Sequence, residues 1–119
     1  MFIKKIVNYD DFSEEASLIV SDGKNELLCY CSSFDGNGRT IKITSFLCDS
    51  IIKNNSQICD YHKLLNYYSY SLQARVVDVE RRMVSVGNIL IELDCDLPGD
   101  IKNGEYVSFN VMRLDCSLM

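Results

Sequence analysis

The sequence is poor in several things, and each absence narrows the reading. It has no tryptophan, one proline (Pro98) and one histidine (His62). A single proline leaves no Pro-rich linker to divide the chain. A single histidine means that any imidazole base or ligand must be His62. There is no excess of basic residues: 12 Lys and Arg stand against 17 Asp and Glu, a net charge of −5. The imbalance is spread along the chain, with 6 basic and 8 acidic residues in 1–59 and 6 and 9 in 60–119. An overall negative field repels phosphate backbones and anionic lipid, which argues against nucleic acid as the main partner and against a membrane surface. Apolar runs such as Ile89-Leu90-Ile91 are far too short to span a bilayer. Met1-Phe2-Ile3-Lys4-Lys5 turns charged before any apolar h-region begins, unlike a signal peptide, so a cytoplasmic location is expected.

What is present fits one globular domain over 1–119. Of the 119 residues, 47% are hydrophobic, enough to build a core. Six cysteines could form a disulfide framework in a secreted protein. In a reducing compartment they are expected to stay as thiols and pack as small hydrophobes.

Strand signals dominate. Leu18-Ile19-Val20 and Leu27 to Cys31 flank Asp22-Gly23-Lys24-Asn25, the pattern of a hairpin. Asp35-Gly36-Asn37-Gly38 predicts the next reversal. Ile41 and Ile43 alternate with Lys42 and Thr44. Tyr70 to Val79 reads as a long strand and Glu80-Arg81-Arg82 as the turn after it. Val84 and Val86 continue the alternation, and Gly87-Asn88 predicts either a turn or a bulge before Ile89, Ile91 and Leu93. Leu97-Pro98-Gly99-Asp100 is a further turn. Val107, Phe109 and Val111 share one parity, which flips at Met112 and Leu114, so a bulge or corner is expected at Val111-Met112. Between these strands, Asn54-Asn55-Ser56 could cap a short helix over 57–66, with Ile58, Tyr61 and Leu65 on its inner face. About seven or eight short strands with one helix predict a mainly β fold, a small antiparallel barrel or sandwich. Closure into a barrel is preferred because it removes edge strands.

Leu97-Pro98-Gly99-Asp100-Ile101, then Gly104-Glu105-Tyr106-Val107, then Phe109, resemble the loop-then-strand of small β-barrels of the OB or SH3-like type. The resemblance covers residues 67–116. It implies a barrel whose strand face and loops carry any binding site, and an OB-like relative would bind single-stranded nucleic acid. The basic face usual in such barrels is not evident here. In size and acidity the chain is also similar to bacterial immunity proteins that neutralise toxins.

Several residue sets could carry chemistry. Cys29-x-Cys31 and Cys59-x-x-His62 together could supply four zinc ligands, but Cys29 and Cys31 packed as small buried hydrophobes in a strand explain the first pair better. Cys59 and His62 could also form a thiolate pair, but no third group orients them. Asp94, Asp96 and Asp100 cluster at a turn without the spacing of a calcium loop. No catalytic set emerges, and no cofactor is expected. Tyr67 and Tyr70, followed by Arg75, Arg81 and Arg82, supply aromatic faces and guanidinium planes of the kind enriched at binding surfaces. The expected function is a non-enzymatic binding module with a protein partner, as an adaptor or a toxin-immunity protein. Nucleic-acid binding and a structural zinc domain are the alternatives.

Overall fold

The computed structural model describes residues 1–34 and 40–118. The turn expected at Asp35-Gly36-Asn37-Gly38 lies outside them. Eleven strands follow in order: β1 Phe2–Asp10, β2 Glu15–Ser21, β3 Glu26–Cys31, β4 Ile41–Phe46, β5 Asp49–Asn54, β6 Asp60–Lys63, β7 Tyr70–Asp78, β8 Met83–Val86, β9 Ile89–Glu92, β10 Tyr106–Val111 and β11 Arg113–Leu118. Among the described residues there is no helix, and so none long and apolar enough to cross a membrane.

The strands form one sheet in the order β1-β2-β3-β11-β4-β9-β8-β7-β10-β5, with β6 alongside β7. Most neighbours are antiparallel. The β3–β11 and β4–β9 joins are parallel and rest on single bridges, Tyr30 with Asp115 and Thr44 with Glu92. The mainly β reading holds, but the closed OB-like barrel does not: the sheet is open and mixed, and β1 and β5 are its two edges. The reason is visible at those edges. β1 carries register shifts at Ile3/Lys5 and Ile6/Asn8, and β5 carries one opposite Ser108/Asn110. Bulges of this kind twist an edge away from further pairing, and Lys4, Lys5 and Lys53 add charge along both edges, so closure is not needed to protect them.

The two bulges also explain why β1 is hidden in the sequence. Ile3 pairs Val20, Ile6 pairs Leu18 and Tyr9 pairs Ala16, so three apolar residues spaced by three lie on one face. Each bulge adds one residue and turns a period of two into a period of three.

The helix expected over 57–66 is replaced by β6 and irregular chain. Ile58, Tyr61 and Leu65 do not share a face: Ile58 is 62% exposed and Leu65 is fully exposed, whereas Tyr61 packs edge-on to Tyr70 with ring centroids 6.4 Å apart. The segment is rich in weak helix formers, and a helix this short gains little by itself. Pairing four residues with the free edge of β7 satisfies its backbone instead. Asn54 caps no helix; its Oδ1 accepts from the Ser56 N–H in a local turn.

The core lies inside the curl of the sheet. Leu18, Val20 and Leu27 from β2 and β3 meet Leu72 and Val76 of β7, Ile89 and Ile91 of β9, Phe109 of β10 and Leu114 of β11, all buried. Polar ties seat the β2–β3 hairpin against the strands beyond it. Leu28 N–H donates to Tyr70 Oη (2.8 Å), and Asn88 N–H donates to Asp22 Oδ2 (2.8 Å). The parity flip at Val111-Met112 is a corner where the chain changes partners. β10 pairs β7 and β5, and β11 pairs β4 and β3.

Candidate functional site

Of the binding residues read from the sequence, only Tyr67 is both aromatic and exposed, at 57%. It sits in the turn between β6 and β7. Tyr70 is buried, its hydroxyl committed to Leu28 N–H. Arg75 points outward from the middle of β7, paired across to Ser85 and Tyr106. Arg81 and Arg82 occupy the β7–β8 turn, where Arg81 faces Asp78 (3.9 Å) and Arg82 faces Glu92 (4.0 Å). Tyr67 and these two arginines lie at opposite ends of a nine-residue strand, on the order of 30 Å apart along it. The structure does not gather the five into one surface.

The four zinc candidates are also placed apart. Cys29 and Cys31 are buried on β3, close to Cys116, and burial raises the Cys29 thiol and pushes that of Cys116 up to about 12. Cys59 donates to the carbonyl of Ser85 (3.5 Å). His62 is exposed on β6 and its Nε2 lies 3.0 Å from Asp60 Oδ2.

A different surface assembles at the corner end of the sheet. Three segments meet there: Phe46-Leu47 at the end of β4, Leu64 to Ser69 between β6 and β7, and Met112-Arg113 at the β10–β11 corner. Two backbone bonds and one from a serine hydroxyl hold them in place. Met112 N–H donates to the Phe46 carbonyl (3.1 Å), Ser69 Oγ to the Met112 carbonyl (3.0 Å), and Leu64 N–H to the Ser69 carbonyl (2.9 Å). Phe46, Leu47, Leu64, Leu65, Tyr67 and Met112 are all exposed on this tip.

Arg113 is its centre. The guanidinium lies 4.7 Å from the Tyr30 ring and 4.5 Å from the Phe46 ring. Asp115 fixes its plane by accepting from Nε (2.5 Å) and Nη2 (3.2 Å), and this pairing raises the arginine pKa further. Tyr68 stacks edge-on with Tyr67 (4.8 Å) and Tyr30 (5.7 Å), and its hydroxyl bonds Ser17 across the sheet (2.5 Å). Lys63 donates to the Tyr67 carbonyl, with its ammonium over the Tyr67 and Tyr70 rings. A groove of about 310 Å³ runs between Phe46, Tyr67, Tyr68, Met112 and Arg113. Two more polar hollows adjoin it, of about 320 Å³ beside Thr44 and Asp115, and about 210 Å³ beside Asp10 and Glu15.

The surface offers aromatic and thioether faces and a guanidinium whose geometry is already set. Sequence reading reached Tyr67 but not Phe46, Met112 or Arg113. The parity flip at Met112 was the available signal, because a corner in a strand exposes the residues that turn it.

No family model matches this chain, no curated protein matches it, and no solved structure matches it. Its functional reading therefore rests on its own geometry.

Proposed function

We propose that this chain is a non-enzymatic protein-binding module of the cell interior, of the adaptor or toxin-immunity type, and that it binds through the Phe46–Tyr67–Met112–Arg113 tip. One observation carries the reading. Six large apolar side chains from three segments are exposed together around an arginine already immobilised by Asp115. Aromatic residues, Met and Arg are the types enriched where protein interfaces concentrate their energy. Fixing their geometry before binding reduces the ordering cost of association. The net charge of −5 favours a basic partner through steering, as a nuclease toxin would be.

Single-stranded nucleic acid is the less favoured partner. The rings could stack on bases, but Arg113 is neutralised by Asp115, and Asp10 and Glu15 line the neighbouring hollow, where a phosphate would be repelled.

Alanine variants test the reading by affinity co-purification from cells that make the protein. Phe46→Ala, Tyr67→Ala and Arg113→Ala are each expected to weaken retention of the partner by about 30-fold, the effect of a hot-spot loss of about 2 kcal/mol. Lys24→Ala, in the β2–β3 turn, and Lys102→Ala, at the end of β10 opposite Met112, are expected to leave it unchanged. Equal retention by both sets would place the contact elsewhere.

A further inference from the structure

Cys48, Asp94 and Cys95 come from two separate stretches of chain. Cys48 lies in the β4–β5 corner, and Asp94-Cys95 follows β9. The β4–β9 bridge brings the two stretches side by side. One ligand atom from each residue, two Sγ and a carboxylate oxygen, all lie within 4.8 Å of one another. A tetrahedral zinc ion at its usual bond lengths spaces such ligands about 3.5–3.8 Å apart, a closing of about 1 Å that side-chain rotation supplies. We infer that these three residues form a binding site for a thiophilic divalent cation of the zinc class.

Two further features fit a ligand set rather than a chance cluster. The first is how Asp94 is held. Its Oδ1 accepts from Ser45 Oγ (2.6 Å) and Cys48 N–H (3.1 Å), and its Oδ2 accepts from Leu47 N–H (2.8 Å). Asp94 N–H returns a bond to Ser45 Oγ (3.0 Å). A carboxylate has about four acceptor sites, so Oδ2 keeps one for a metal while the others fix its orientation. The second feature is access. Asp94 is exposed and both thiols are half-buried, so an ion can enter from solvent, unlike the fully buried neighbourhood of Cys29, Cys31 and Cys116.

Binding is a simple exchange. The cation takes two sulfur ligands and one oxygen ligand, and both thiol protons pass to solvent. With three protein ligands, a water completes the tetrahedron, so the ion is exchangeable. The site also adjoins the tip, because Asp94 grips the backbone of Leu47 and Cys48 next to Phe46. The inference does not depend on the tip being an interface.

The test uses the full chain, reduced with a phosphine and stripped of metal. Cd²⁺ is titrated as a spectroscopic probe for thiolate-to-metal charge-transfer absorption. One ion per chain is expected, with two thiolate bonds and two protons released. Cys48→Ser and Cys95→Ser should each weaken binding at least about 100-fold, the upper end of what losing a second-shell partner costs. Cys59→Ser and Cys31→Ser should leave it unchanged. Circular dichroism checks that each variant is folded. The inference is overturned if the wild-type chain shows no charge-transfer band at stoichiometric Cd²⁺, or if a Cys48→Ser/Cys95→Ser double variant keeps it.

Discussion

Tyr70→Phe isolates one atom whose contribution can be worked out in advance. On the side away from β2, β3 meets β11 only at the Tyr30–Asp115 bridge. Further along, Leu28 N–H donates to Tyr70 Oη at 2.8 Å, with both residues buried. The tyrosine hydroxyl thus replaces a missing strand neighbour. Phenylalanine keeps the ring and removes the acceptor, which strands a buried backbone N–H. That costs about 1–3 kcal/mol, and about 2 kcal/mol is expected here. For a domain of this size each kcal/mol shifts the midpoint by about 4 °C, so Tm should fall by about 8 °C. Urea unfolding should show a lower midpoint at unchanged slope. Hydrogen exchange at the Leu28 amide should lose protection. Tyr61→Phe is the control: it removes a longer bond (3.1 Å) to the exposed Glu26 N–H and should cost less than about 1 kcal/mol. A Tyr70→Phe loss below about 0.5 kcal/mol, or an equal loss in both variants, would refute the reasoning.

Other predictions follow from the turns and the carboxylates. A Cβ on Gly87 would meet Asn25 Nδ2 at 2.2 Å and Asp22 Oδ2 at 2.6 Å, and its φ is +60°, whereas one on Gly23 (φ +96°) meets nothing within 4 Å. Both alanine variants are strained, but Gly87→Ala must also break the Asp22–Asn25 clasp and should lose at least about 1 kcal/mol more than Gly23→Ala in the same urea assay. Asp22 holds its pKa far below the ordinary 3.8 because Asn25 donates to it from backbone and side chain and Asn88 and Lys24 add backbone bonds. Hydrogen bonds from Lys53 and Lys102 depress Glu105 as well. For both groups the unfolded chain binds protons more readily than the folded one. Their stabilisation is therefore complete above the ordinary carboxylate range near pH 4 and is lost as pH falls towards the folded-state values. Stability measured between pH 6 and 2 should drop, and Asp22→Asn should start lower at pH 6 and show a shallower acid decline.

Much of the fold was legible, because alternation writes local parity directly. The β2–β3 hairpin, β4, β7 and β10 appear where apolar residues skip by two, and the flip at Met112 marks a true corner. β1 was not legible, because its two bulges convert that signal to a spacing of three. At β6, Ile58, Tyr61 and Leu65 fit helical spacing by coincidence, while the free edge of β7 decides their conformation. The open sheet is not legible in the sequence, because bulges protect an edge without any mark in composition. At the site, Tyr70 could have been assigned correctly: it has the parity of Leu72, Ala74 and Val76, which all face inward. Tyr67 precedes the strand and escapes that rule. The meeting of Phe46 with Arg113, and of Cys48 with Cys95, depends on β4 lying between β11 and β9, which no local pattern encodes.

The direct test of the tip is position-specific photo-crosslinking in cells that make the protein. A benzophenone side chain is placed at Leu65, fully exposed on the tip, and separately at Leu90, exposed on β9. The account predicts a discrete adduct with one protein from position 65, absent from position 90, and lost when Arg113→Ala is combined with the probe. Equal labelling from both positions, or an adduct at 65 that survives Arg113→Ala, would contradict it.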